Sequence, residues 1–230
     1  MEHLRKRQVT WRLHDRRIFL VLCSFCLLVS SIGCAAPAYR LNPEWRVRSH
    51  GLKSPILVPS EVKIYSVSPG GVFELRDDWC EAGSRNLDHA LLKAFRERKY
   101  RVRLLGSDVG SQQEMAQIQS LYRVVNKSIQ LHAYGPQLFP RKSACFDYSL
   151  GPMKGLLQKL HGDAVIFVQG FDQVSEVTRK TYVSVAVADS SGTILWYCVK
   201  GSRGEHDLRD AQSTENLVEA ILSDLPEVEG

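Results

Sequence analysis

Residues 181–199 read TYVSVAVADSSGTILWYCV, two apolar runs parted by four polar residues. The β-branched and aromatic content of Thr181–Ala188 and Thr193–Val199 marks two strands, and Asp189-Ser190-Ser191-Gly192 between them is a turn, so the segment predicts a β-hairpin. Pairing Ala188 with Thr193 puts Val183, Val185 and Val187 on one surface with Ile194, Trp196 and Cys198. On that surface the Cys198 thiol acts as a small core hydrophobe. The opposite surface holds Tyr182, Ser184, Ala186, Leu195 and Tyr197 and is apolar enough to need a cover. A helix from about Ala211 to Leu225, with Leu217, Val218, Ile221 and Leu225 inward and Pro226 as its stop, supplies one.

Upstream, Asp163-Ala164-Val165-Ile166-Phe167-Val168 is nearly continuous in apolar residues. Such a strand belongs in the middle of a sheet, covered on both faces. The helix before it starts near Pro152, buries Met153, Leu156, Leu157 and Leu160, and stops at Gly162. Val62–Val67 is a further strand closed by the turn Ser68-Pro69-Gly70-Gly71. Leu87, Ala90, Leu91, Ala94 and Phe95 give an amphipathic helix with Asn86 as its expected cap, and Tyr100–Leu105 alternates as a strand. Met115, Ile118, Tyr122, Val125 and Ile129 form a second helical stripe running from about Ser111. The expected fold is therefore α/β (α+β): a single mixed β-sheet with helices packed on it, including the C-terminal hairpin followed by a helix. Between the second stripe and Pro152, residues 132–148 make a long loop with Tyr134, Phe139, Phe146 and Tyr148. These aromatics suit either a partner surface or a lid folded back on the core.

The chain of 230 residues carries a formal charge of +5. Its first 33 residues hold six basic and two acidic groups, which leaves 24 basic against 23 acidic residues in the remainder. A near-neutral remainder removes the electrostatic case for nucleic acid. The first segment is a basic region to Arg17, an apolar run Ile18–Ile32, then small residues, the form of an export signal. Fifteen helical residues reach only about 22 Å, short of the ~30 Å hydrocarbon core of a bilayer. Residues 1–33 therefore read as a cleaved signal peptide, 34–61 as a proline-bearing tether, 62–225 as the folded domain and 226–230 as a tail.

Ser31-Ile32-Gly33-Cys34 resembles the lipobox of bacterial lipoproteins, with Ser31 where that family usually has Leu. The resemblance implies cleavage before Cys34, attachment of acyl chains such as palmitate to that residue, and a membrane anchor. With Ala35 rather than Asp following, it further implies sorting to the outer membrane, with the protein on its periplasmic face. Ala36-Pro37-Ala38 also fits ordinary signal-peptidase cleavage, which would release a protein without an anchor. Arg16-Arg17-Ile18-Phe19-Leu20 resembles the twin-arginine export signal.

Cys80, Cys145 and Cys198 remain beyond Cys34. An exported protein can hold disulfides, and Cys80 and Cys145 both fall in loop-like sequence, so they are the candidate pair; three free thiols are the alternative. The spacing of Cys and His gives no metal site, no cofactor motif is present, and neither a nucleophile elbow nor a P-loop occurs, so no enzyme activity is expected. The succession LLKAFRERKYRVRLL, LLQKLHGDAVIFVQG and the hairpin with DSSGTILW resembles envelope-lipoprotein domains of the curli-secretion and Tol amino-terminal type. That resemblance implies a role in envelope assembly and envelope proteins as partners, and transfers no binding residue. A periplasmic module binding a small molecule or an envelope lipid is the alternative.

Overall fold

Eight strands form one mixed sheet in the computed structural model, which describes residues 39–106, 112–135, 141 and 145–226. The signal segment and Cys34 lie outside the described residues, as do 136–140 and 142–144 of the long loop and 227–230 of the tail. The strands are β1 (Tyr39–Leu41), β2 (Ile56–Leu57), β3 (Glu61–Val67), β4 (Phe73–Leu75), β5 (Arg103–Leu104), β6 (Ala164–Val174), β7 (Arg179–Asp189) and β8 (Ile194–Arg203). The helices are α1 (Trp45–Arg48), α2 (Asp77–Glu97), α3 (Gln112–Ile129), α4 (Lys154–Lys159) and α5 (Ala211–Leu222).

The central position expected for residues 163–168 is observed. β6 pairs antiparallel with β7 along all eleven residues, and β7 pairs with β8, whose outer edge takes β1. On its other side β6 is met by two parallel strands in succession, β2 beside Val165 and Ile166 and β3 beside Gln169 to Val174. β5 extends the sheet from β2, and β4 folds back antiparallel on β3.

The hairpin turn forms as the sequence indicates. The Gly192 N–H donates to the Asp189 carbonyl at 2.8 Å, and Gly192 takes a φ of +82°. A Cβ there would stand 1.8 Å from the Gly151 carbonyl oxygen, so glycine is required by space as well as by conformation. The register differs from expectation: Ala188 pairs with Ile194 and Val187 with Trp196, leaving Leu195 as a bulged residue. The extra residue sends Leu195 and Trp196 to the same face and Ile194 to the other, where the alternating pattern had placed Ile194 with Trp196.

Two cores result, one on each face of the sheet. α2 and α5 cover Val183, Val185, Val187, Trp196 and Cys198 on the first face. α3, the turn that follows it and residues 146–160 cover Phe167, Ala186, Ala188, Ile194 and Tyr197 on the second. α5 thus lies on the valine face, not on the tyrosine face for which the sequence had offered it. α2 begins at Asp77, nine residues before the expected cap, and Asn86 is a mid-helix residue whose side-chain amide donates to the Leu208 carbonyl at 2.9 Å. Among the described residues no helix is long and apolar enough to cross a membrane.

The stretch 34–61 read as a tether is part of the fold from Tyr39 onward. It supplies β1, α1 and β2, and buries Trp45, Leu52, Ile56, Leu57 and Val58. Its prolines break these elements into pieces of two to four residues, too short to show a period in sequence.

The candidate disulfide does not form: Cys80, Cys145 and Cys198 are free thiols. Cys80 lies in the first turns of α2 against the core of the first face, where its sulfur accepts from the Ile64 N–H at 3.2 Å. Cys145 is exposed beside Phe146, which packs into the core of the second face. A bridge needs Cα atoms within about 7 Å, and the sheet lies between these two.

Candidate functional site: an uncovered end of the sheet

The second face of the sheet is dry for only part of its length. Along β6 the side chains of Phe167, Gln169 and Phe171 point to this face in turn, as the two-residue period of a strand requires. Phe167 lies under α3, stacked on Tyr122 with ring centroids 4.6 Å apart and 18° between planes. Gln169 belongs to a polar seam. Its amide donates to Glu61 at 3.1 Å, and Glu61 receives the Arg123 guanidinium of α3 at 2.6 Å. Asn126, 1% exposed, is the buried hub of the same network. Its amide nitrogen donates to Gln169 Oε1 and, at 3.1 Å, to the Ser184 hydroxyl, while the Tyr197 hydroxyl donates to its carbonyl oxygen at 2.7 Å. Burial holds the Tyr197 phenol well above its ordinary pKa, so it stays protonated as a donor.

Beyond the seam no helix among the described residues covers the sheet. Tyr65 of β3, Phe73 and Leu75 of β4, Phe171 of β6 and Tyr182 of β7 share this surface, with Phe73 55% and Leu75 45% exposed. The rings form a continuous strip across four strands. Phe171 stacks on Tyr182 at 4.8 Å and 16°, Tyr65 meets Phe171 at 5.7 Å, and Phe73 meets Tyr65 edge-on at 6.3 Å. Lys63, Lys180 and Arg203 stand exposed around the strip on the same face. Among the described residues the sheet supplies no carboxylate to this surface beyond Glu61, which Arg123 neutralises at the seam.

The reverse face at this level is closed by polar groups. Asp172 is fully buried, and the Thr181 hydroxyl lies 3.0 Å from its Oδ1 and 2.8 Å from the His206 carbonyl. Arg179 approaches Asp172 at 3.9 Å and pairs with Asp207 at 3.0 Å. Burial raises the Asp172 pKa against the opposing pull of Thr181 and Arg179. Burial acts on Asp207 in the same sense, but hydrogen bonds from Arg209 and the Arg179 charge outweigh it and hold that carboxyl low.

The sequence had pointed to a different aromatic group. In the loop 132–148, Phe139 lies outside the described residues, while Phe146 and Tyr148 are buried and Tyr134 stands 5.8 Å from Tyr197. These described rings therefore act as a lid on the second core. The strip itself was missed because its residues are far apart in sequence. A signal was present in β3, where Tyr65 alternates with the core residues Val62 and Ile64 and so had to lie on the opposite, polar-flanked face. Among the described residues no group of three or more His, Cys, Asp or Glu is placed to hold a metal ion.

No family model matches the chain, and no curated protein sequence does. Among solved structures it is similar to lipoprotein GNA1162 from Neisseria meningitidis, with 15% identity and a TM-score of 0.34, over 75% of this chain and 95% of that one. It is also similar to the C-terminal domain of LpoB from Salmonella enterica, with 12% identity and a TM-score of 0.27, over 66% of this chain and 84% of that one.

Proposed function

We propose that this chain is a lipid-anchored protein of the bacterial cell envelope, held at the periplasmic face of the outer membrane through Cys34, whose domain docks an envelope partner on the aromatic end of its sheet. The uncovered strip from Phe73 to Tyr182 is the observation that carries the docking role, because a contiguous exposed apolar patch with a polar rim is the mark of an interaction site. The basic rim of Lys63, Lys180 and Arg203 fits a partner whose apolar contact segment is flanked by carboxylates.

The folded start of the domain bears on the anchor. Tyr39 already belongs to β1, so five residue steps separate it from Cys34. They reach at most about 18 Å, which would hold the domain close against the bilayer.

Intact-mass measurement of membrane-extracted protein tests the anchor: a chain starting at an acylated Cys34 is expected, and one starting after Ala38 would refute it. Photo-crosslinking from position 73 in whole envelopes tests the docking role. A discrete adduct is expected there and not from position 127 on α3; equal adducts from both positions would overturn it.

A further inference from the structure

At the other end of the sheet, where β2 and β5 begin, the structure opens a cleft of about 740 Å³ between the C-terminal ends of α2 and α5. Two segments build one wall, Leu52–Lys53 before β2 and Glu97–Arg101 at the end of α2; Leu222, Ser223, Leu225 and Pro226 build the other. The segments are tied together by the Arg101 N–H, which donates to the Lys53 carbonyl at 2.9 Å. The first segment is fixed in turn by Asp163 Oδ2, which accepts from the Lys53 and Ser54 N–H groups at 2.7 Å each.

The charge here is one-sided. Lys53, Arg98, Lys99 and Arg101 line the cleft against the single acid Glu97. None of Lys53, Lys99 and Arg101 has a carboxylate partner among the described residues, whereas Arg98 turns back to the Ala94 carbonyl at 3.1 Å. Like-signed charge in a cleft with apolar walls focuses the field on whatever enters it.

Lys99 adds a second line of argument. α2 ends in a Schellman motif: the Tyr100 N–H donates to the Phe95 carbonyl at 3.1 Å, the Lys99 N–H to the Arg96 carbonyl at 2.9 Å, and the Tyr100 ring packs on Phe95. The motif needs a left-handed residue, usually glycine, and here it is Lys99 with φ +67°. The other described non-glycine residue with positive φ, His161, sits at the same end of the sheet, just before β6. A lysine kept where glycine fits best is backbone strain held at a particular place, and such strain gathers at binding sites.

We propose that this cleft binds an anionic amphiphile with a terminal phosphate (a phosphomonoester), with the phosphate held by Lys53, Lys99 and Arg101 and the apolar body laid against Tyr100, Leu225 and Pro226. The inference uses neither the anchor nor the aromatic strip, so it stands or falls separately from them.

The test is calorimetric titration of the full chain in maltoside detergent with dihexanoyl phosphatidic acid, alongside inorganic phosphate and dihexanoyl phosphatidylcholine. The phosphatidic acid is expected to bind at least tenfold more tightly than either comparison ligand. Lys99→Gly and Arg101→Gln are each expected to lose that affinity tenfold or more, while Lys127→Gln on exposed α3 keeps it. A melting temperature for Lys99→Gly no lower than that of the parent chain separates lost binding from lost fold. Equal binding of the zwitterionic lipid or of inorganic phosphate would overturn the proposal, and so would affinity unchanged in both cleft variants.

Discussion

Phe167 and Phe171 stand on one strand, point to one face of one sheet and each stack flat on a tyrosine, yet they do different work. Phe167 is 1% exposed and pressed against Tyr122 beneath α3. Phe171 is only partly buried, and its partner Tyr182 is 39% exposed. The strand cannot distinguish them, since its period and pairing are the same at both. The cover does, and the cover ends at the seam of Arg123, Glu61, Gln169 and Asn126. A polar row between two aromatic ones gives α3 a definite stopping line, because its polar groups meet their partners only in that register.

Truncation of the two rings gives the largest contrast. Phe167→Ala leaves a cavity under α3 and is expected to cost about 3 to 5 kcal/mol. Phe171→Ala removes contacts that water already reaches, and about 1 kcal/mol or less is expected. Urea denaturation of both variants checks this, with the crosslink from position 73 weakened in Phe171→Ala. Equal losses would mean that the aromatic end is covered in solution and would undo the comparison.

The seam comes next in size. Asn126→Ala leaves the Ser184 and Tyr197 hydroxyls without their buried partner, and about 2 to 3 kcal/mol is expected to be lost. Hydrogen exchange sharpens the result: amides of α3 should lose protection while those of α2, on the other face, keep theirs.

Lys99→Gly should act in the opposite direction, because it relieves an L-residue of a left-handed φ in an otherwise complete helix cap. A gain of up to about 1 kcal/mol in the same denaturation measurement is expected. A loss instead would show that the lysine stabilises the α2 terminus through contacts of its own, and would remove strain from the argument for the cleft.

These contrasts also show what could be read in advance. The hairpin, the central strand at 164–168 and the stripes of α2 and α3 were legible because each is long enough for its period to show. β1 and β2 were not, at three and two residues, and both take their meaning from partners in β8, β5 and β6. The bulge at Leu195 left no mark in the alternation, so the faces of Ile194 and Leu195 were exchanged. The aromatic strip is harder still. Tyr65, Phe73, Phe171 and Tyr182 are separated by up to 117 positions, and strand pairing alone brings them side by side. The compact aromatic loop at 132–148 drew attention because it is local, but locality favoured a lid.

The smallest effect is a change of slope, and it concerns the reverse face at the level of Phe171. Asp172 is buried there, with its pKa raised by burial against the pull of the Thr181 hydroxyl and Arg179. A carboxyl whose folded pKa lies above its unfolded value holds its proton more tightly in the folded state. Its contribution is therefore most favourable at pH below the ordinary carboxylate value of 3.8, and declines as pH rises from there through the raised folded value. Asp172→Asn cannot ionise and escapes that decline. Asp207, whose folded pKa is lowered, works in the other direction and loses stability as pH falls, but it is present in both proteins and largely cancels from the difference. Urea midpoints at pH 4 and pH 7 should show the parent chain losing ground to Asp172→Asn as pH rises. A difference that does not move with pH would mean that water or a cation reaches Asp172, and the sheet would then be open on both faces at this end.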